Sequence, residues 1–260
     1  MESPKPEAPP EVDRDALSRT HAEAYSSLVD FYASVSDDLT RVRTECQRLV
    51  LLGELGEEQG IGGLEGVERL ALPLAAVPFE ASILDVGCGR GDNLVIMGGL
   101  GFTGHRGVDI APQMVEAAGA LSGVETRCVD FRTLEPEVEG AELVFAQALV
   151  HLFPKEELGE VVGALLNLGR RRVYVTTTVH AEGGEGWEVK AEGVERYRSR
   201  FTEAEFARRV GAIVQGHGAR WRGLTFILVD CFDKRWINVV LERVEGEGGG
   251  QCWPGAEAGR

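Results

Sequence analysis

The chain has 260 residues, 43% of them hydrophobic, and its 27 Lys and Arg against 42 Asp and Glu give a formal charge of −15. That hydrophobic fraction builds a core and excludes global disorder. No run approaches the roughly 18 apolar residues of a membrane helix, and the polar, Pro-rich start Met1-Glu2-Ser3-Pro4 is not a secretion signal. A soluble, cytoplasmic protein is expected, with neither membrane nor nucleic acid as partner, since binding phosphates needs concentrated basic charge. The densest basic run, Arg170-Arg171-Arg172, falls where a helix should end, a place cations favour for dipole reasons. Five scattered cysteines without a C-x-x-C pair argue for reduced thiols and no metal site.

In chain order, residues 1–11 read as a flexible tail, and 12–80 as an N-terminal helical cap. Within the cap, Tyr25, Leu28, Tyr32, Val35, Leu39 and Val42 recur at spacings of 3 and 4, an apolar helical stripe. Ser36-Asp37-Asp38 could cap a second helix, so one long helix and two remain alternatives. A further short helix is expected over about 64–75. Tyr25 and Tyr32 either pack a core or face a ligand from a lid. From residue 81 the period changes. Short apolar runs at 82–86, 106–110, 125–129, 142–146 and 173–177 alternate with helices from Asp92, Pro112 and Pro154, which makes βαβ units and a mostly parallel sheet. Thr202 with Glu205 forms a capping box for another helix. The runs 224–231 and 235–244 are separated only by Phe232-Asp233-Lys234, too short for a crossover, so they form an antiparallel hairpin. Residues 245–260 read as a second tail.

The strongest chemical signal is Asp85-Val86-Gly87-Cys88-Gly89-Arg90-Gly91-Asp92, a strand running through alternating glycines into a helix. Glycine is required there because a Cβ would block close approach of a ligand to backbone. The spacing is G-x-G-x-G, neither the dinucleotide fingerprint nor a phosphate-binding loop ending in Lys-Ser/Thr. Asp85 and Asp92 flank the turn, which suits a ligand carrying positive charge. Asp109 lies 22 residues past Gly87, the distance at which an acid takes ribose hydroxyls. Asp130 follows after 21 more, at the third strand's end, where it could accept from an exocyclic adenine amine.

This constellation resembles the class I S-adenosylmethionine-dependent methyltransferases over roughly residues 81–244. The resemblance implies a Rossmann-like sheet with an antiparallel final hairpin, and S-adenosyl-L-methionine as cofactor. It places Asp85, Gly87, Cys88, Gly89 and Asp92 at the methionine portion, Asp109 at the ribose, and Asp130 with Phe131 at the adenine. Ile110 and Met114 would pack the adenine ring, and Gln147 would stand at the tip of the fourth strand. The segment 142–152 looks like the family's fourth motif, with His151 near the substrate cavity.

An oxygen acceptor needs deprotonation, and His151 is placed to do it; the alternative is a structural histidine orienting its loop. Tyr174, Thr176 and His180, after the fifth strand, are candidates for the same cavity, with Tyr174 and Tyr25 the further catalytic candidates. Arg196, Arg198 and Arg200 either grip a carboxylate or belong to a solvated loop. By family resemblance, Ala146-Gln147-Ala148-Leu149 lacks the motif of amide and DNA methylation, and no metal-binding acid stands there. The expected function is methylation of a small molecule in bacterial specialised metabolism. Two alternatives are a cyclase or lyase, in which the cofactor's own amino group displaces the thioether, and a non-catalytic binding protein.

Overall fold

The computed structural model describes residues 14–26, 74, 77–189, 193–217, 221–231 and 234–244. The expected tails, Tyr32 and most of the expected helical cap lie outside the described residues. Its helices are α1 (Arg14–Ser26), α2 (Asp92–Gly99), α3 (Pro112–Ser122), α4 (Pro136–Glu139), α5 (Leu158–Leu168) and α6 (Glu203–Gly216). Its strands are β1 (Ile83–Val86), β2 (His105–Asp109), β3 (Thr126–Cys128), β4 (Ala141–Gln147), β5 (Gly169–Val179), β6 (Gly184–Val189), β7 (Glu195–Arg200), β8 (Trp221–Cys231) and β9 (Lys234–Arg243).

Seven strands form one sheet in the order β3-β2-β1-β4-β5-β9-β8. β1 to β5 are mutually parallel, while β9 runs antiparallel to both β5 and β8. The fold is therefore Rossmann-like with an antiparallel final hairpin, as the residue pattern implies. None of the described helices is long and apolar enough to cross a membrane.

Side-chain alternation along the strands explains the layering. Leu84, Val86, Val144, Ala146, Val173 and Val175 turn to one face, under α5 and α6. Ile83, Leu143, Phe145, Tyr174 and Val240 turn to the other, under Leu74, Val77, Ile96 and Met97. Helix α5 has Leu158, Val161, Val162, Leu165 and Leu166 buried, spaced three and four apart as one helical face demands. Full burial of each such side chain contributes about 1.5–3 kcal/mol.

Three local features depart from expectation. The arginine triplet opens β5 rather than closing a helix. Arg170 donates to the Glu137 carbonyl, Arg171 pairs with Glu142 and Arg172 with Glu242. At α6 only half the capping box forms: Thr202 accepts from the Glu205 N–H at 3.2 Å, but the Glu205 carboxylate pairs with Lys155 and Arg209 instead. Finally, β6 and β7 form an antiparallel hairpin where a loop was one alternative. A single parallel bridge, Val179 to Phe201, ties its base to the main sheet.

Candidate active site

Strand order reverses between β1 and β4, which leaves a crevice beyond their C-terminal ends. A cavity of about 580 Å³ occupies this position, within the ordinary range for small-molecule sites. α1 and β7 contribute to its walls together with the sheet loops.

The glycine turn forms one wall. Gly89 and Gly91 have φ of 54° and 90°, conformations that L side chains rarely adopt. A Cβ on Gly89 would meet nothing within 4 Å, whereas one on Gly91 would lie 2.9 Å from the Ala118 Cα. The first glycine thus keeps a surface open and the second lets α3 pack close. Gly87 and Cys88 both donate N–H to the Val108 carbonyl, which fixes the turn on β2.

Asp109 closes this arrangement from β2. Its carboxylate accepts from the N–H of Gly89 and of Ala111, each at 2.9 Å. Burial raises its pKa, and those N–H groups oppose the rise. Ile110 and Met114 line the cavity beside it. Met114 packs with Ala111 against Tyr25 of α1.

The other acids behave differently from one another. Asp92 pairs with Arg90 at 3.1 Å, and Asp130 with Arg132 at 2.6 Å. Asp130 also caps the turn 131–133 by accepting from the Arg132 N–H. Burial works against its ionisation, but Arg132 holds its carboxyl below the ordinary value. Two of the expected acids are therefore already matched to arginines that the sequence reading did not assign to the site. Asp85 is fully buried behind the turn rather than lining the cavity. Burial pushes it up to about 7, against an opposing hydrogen bond from Asn93 and with Asp109 and Asp92 adding to the rise.

Cys88 lines the turn, but burial beside Asp85 and Asp109 pushes its thiol far above the ordinary value, so it stays protonated. Phe131 and Gln147 also line the cavity, and the Gln147 Oε1 is buried without a partner. Next to it Ala148 takes φ of 56°, a strained conformation that no motif signalled.

His151 is buried and lines the cavity, with Nδ1 3.0 Å from the Thr177 hydroxyl. Tyr25 lines it too, its phenol 3.4 Å from Arg196 Nη1. Burial dominates the upward shift of that phenol. Tyr174 does not line the cavity. It sits mid-strand, packed on Phe145 at 4.7 Å between centroids, and its hydroxyl donates to Asn238 Oδ1 at 2.6 Å. Thr176 is likewise fully buried, and Thr178, two residues nearer the strand end, takes the lining position.

The arginines of β7 are the residues that sequence reasoning left undecided. Arg196 and Arg198 project into the cavity, their side chains only 14% and 11% exposed, while Arg200 is exposed. The available signal was the alternation Arg196-Tyr197-Arg198-Ser199, a strand period with buried Tyr197 and Ser199 facing the other way. Among the described residues no cluster of His, Cys, Asp or Glu could hold a metal ion.

Comparison with known proteins agrees with this geometry. Residues 83–170 match the family described as a methyltransferase domain. An 86-residue stretch is 31% identical to human (Homo sapiens) EEF1A lysine methyltransferase 2, covering 30% of this chain; the match spans about a third, 36%, of that relative's length. Among solved structures, Burkholderia thailandensis 1,6-didemethyltoxoflavin-N1-methyltransferase, with bound 1,6-didemethyltoxoflavin and S-adenosylhomocysteine, superposes with a TM-score of 0.62. Identity is 15%, over 92% of this chain and 94% of that one. The magnesium protoporphyrin IX methyltransferase of Synechocystis PCC 6803, with bound S-adenosylmethionine, superposes at 0.54 with 14% identity, over 91% and 100% of the two chains. Residues 83–170 thus match a methyltransferase domain, set on a sheet of Rossmann-like strand order.

Proposed function

We propose that this protein binds S-adenosylmethionine in the cavity and transfers its methyl group to a small molecule. The observation that carries the reading is the pairing of an open glycine turn with Asp109, which turns a carboxylate and a bare backbone toward one space. The residues suit the cofactor on chemical grounds. Gln147, which lines the cavity, keeps a buried acceptor oxygen without a donor, and an ammonium group supplies one. Asp109 has lone pairs beyond those used by two N–H groups, and these suit ribose hydroxyls. Ile110 and Met114 offer an apolar slot for a base.

Bound there, the cofactor supplies a methyl carbon on a cationic sulfur, open to in-line displacement. The chain's own residues then position the acceptor and exclude water, which can account for much of the rate. α1 covers the cavity, with Leu17, His21 and Tyr25 among its lining residues. His151, oriented by Thr177, is available to take the proton of an acceptor hydroxyl or amine.

Two measurements test this. Titration calorimetry should show one S-adenosylhomocysteine bound per chain, and an absence of heat at every temperature tried would refute the reading. Mass spectrometry of the protein with S-adenosylmethionine alone should show no methylthioadenosine. Its accumulation without acceptor would replace methyl transfer with intramolecular displacement.

A further inference from the structure

We infer that the β7 wall is an oxyanion subsite, so that the acceptor carries an anionic group, a carboxylate or a phosphoryl group. This rests on the reading that methyl transfer takes place in this cavity. The argument begins with charge. Arg90 is matched by Asp92 and Arg132 by Asp130, but Arg196 and Arg198 share a single carboxylate, Glu188. Glu188 Oε1 lies 2.7 Å from Arg196 Nη2 and 3.3 Å from Arg198 Nη1. Among the described residues the wall therefore pairs two guanidinium groups with one carboxylate in a largely buried setting, which is costly unless an anion meets the second charge.

Hydrogen bonding points the same way. Arg198 Nη2 donates to the Thr178 hydroxyl at 2.8 Å, while Arg198 Nε is buried with no partner. A guanidinium presents its N–H groups as a planar fork, matched to the two oxygens of a carboxylate or phosphoryl group. If the arginines served only to clamp the hairpin, Arg196, directly opposite Glu188 in the β6–β7 register, would suffice. Arg198 stands opposite Gly186, where no side chain competes for it.

Position separates this subsite from the glycine turn. Arg198 is tied to Thr178 at the end of β5, and Trp236 of β9 lines the same cavity. The turn has its own guanidinium, Arg90. An acceptor anchored at Arg198 would lie on the sheet side where His151 stands against Thr177, next to Thr178 in the chain.

The test uses the full chain saturated with S-adenosylhomocysteine and titrated at constant ionic strength with acetate, inorganic phosphate or neutral acetamide. Tryptophan fluorescence is the readout, because Trp236 lines the cavity. A saturable response to acetate or phosphate and none to acetamide is expected, and the stronger of the two anions identifies the group. Arg198→Gln should weaken that response about tenfold, as loss of a charged hydrogen-bonding partner does, and Arg198→Lys should weaken it less. S-adenosylhomocysteine affinity, measured separately by calorimetry, should stay within twofold in both variants. A flat response to both anions in the wild-type chain overturns the subsite. So does a matching loss of S-adenosylhomocysteine affinity in Arg198→Gln, because the guanidinium would then serve the nucleoside's own carboxylate. Failure of S-adenosylhomocysteine to bind the wild-type chain sinks the methyltransferase reading instead.

Discussion

The two walls of the cavity are built by opposite strategies. The glycine-turn wall is local: Gly87 to Asp109 span 23 consecutive residues, and its key contacts join backbone N–H groups to one carboxylate. The β7 wall is assembled across the chain. Arg196 meets Tyr25 over a separation of 171 residues, and the Tyr197 N–H donates to His21 Nε2 over 176. Local geometry fixes a site for a ligand of constant shape, whereas long-range assembly lets the facing wall be adapted to a different acceptor. The comparison predicts that substitutions in the first wall will disturb fold and nucleoside together, while those in the second will disturb neither nucleoside nor sheet.

The largest effect should come from Gly91→Ala. Its φ of 90° strains any L residue, and its Cβ would sit 2.9 Å from the backbone of Ala118. A loss of about 2–4 kcal/mol in urea unfolding is expected from strain and overpacking combined. Gly123→Ala is the control, with φ of 71° and open space around the Cβ. It should cost about 1 kcal/mol, the price of the left-handed conformation alone. Equal losses at the two positions would show that close packing of α3 on the turn does not matter.

Next is Asp109→Ala. Removing an acceptor of two N–H bonds leaves donors unpaired in a buried setting, at about 1–3 kcal/mol. Calorimetry should show S-adenosylhomocysteine binding weakened by about ten- to a hundredfold. The acetate or phosphate response at the β7 wall should persist. Loss of both together would mean that the walls are not independent.

This contrast also explains what could be read from residues alone. The sheet order, the final hairpin and the turn were legible because periodicity and glycine spacing are properties of neighbours in sequence. Asp109 was legible for the same reason. Asp92 and Asp130 could be placed at the site, but not their neutralisation, since Arg90 and Arg132 look like any loop arginine until the turn folds them back. Tyr174 misled because its distance along β5 from the strand end depends on where the strand stops, and β5 runs to Val179. Arg196 and Arg198 became site residues only through α1 and Glu188, partners that no short window contains.

Asp85 gives a smaller, pH-dependent effect. Burial raises its pKa to about 7, so the unfolded chain loses this proton near pH 4 while the folded chain keeps it. The folded state thus binds more protons between those values, and stability falls as pH rises from about 4 to about 7. Asp85→Asn should remove roughly 1–2 kcal/mol of that fall, below the full linkage because local opening relieves part of the burial. Thermal midpoints of both chains across pH 5–8 measure it; parallel profiles would mean that Asp85 ionises freely in the folded protein.

The smallest effect belongs to the long-range wall. His21 is buried on α1, its Nε2 accepts the Tyr197 N–H at 3.2 Å, and its ring lies 6.5 Å from that of Trp187. Burial, aided by Arg196, lowers its pKa to about 4. The folded state therefore holds it neutral while the unfolded or undocked segment takes a proton below about pH 6.5. Its contribution to α1 docking is full above that pH and shrinks as pH falls toward 4, by about 1.4 kcal/mol for the first unit. Trp187 fluorescence should change as α1 releases, with a midpoint between pH 4 and 6.5, before the sheet unfolds by circular dichroism. His21→Gln, which cannot acquire charge, should shift that midpoint downward or abolish it. If the fluorescence and circular dichroism transitions coincide in both chains, α1 is as integral to the fold as the glycine turn, and the division between a local and an assembled wall fails.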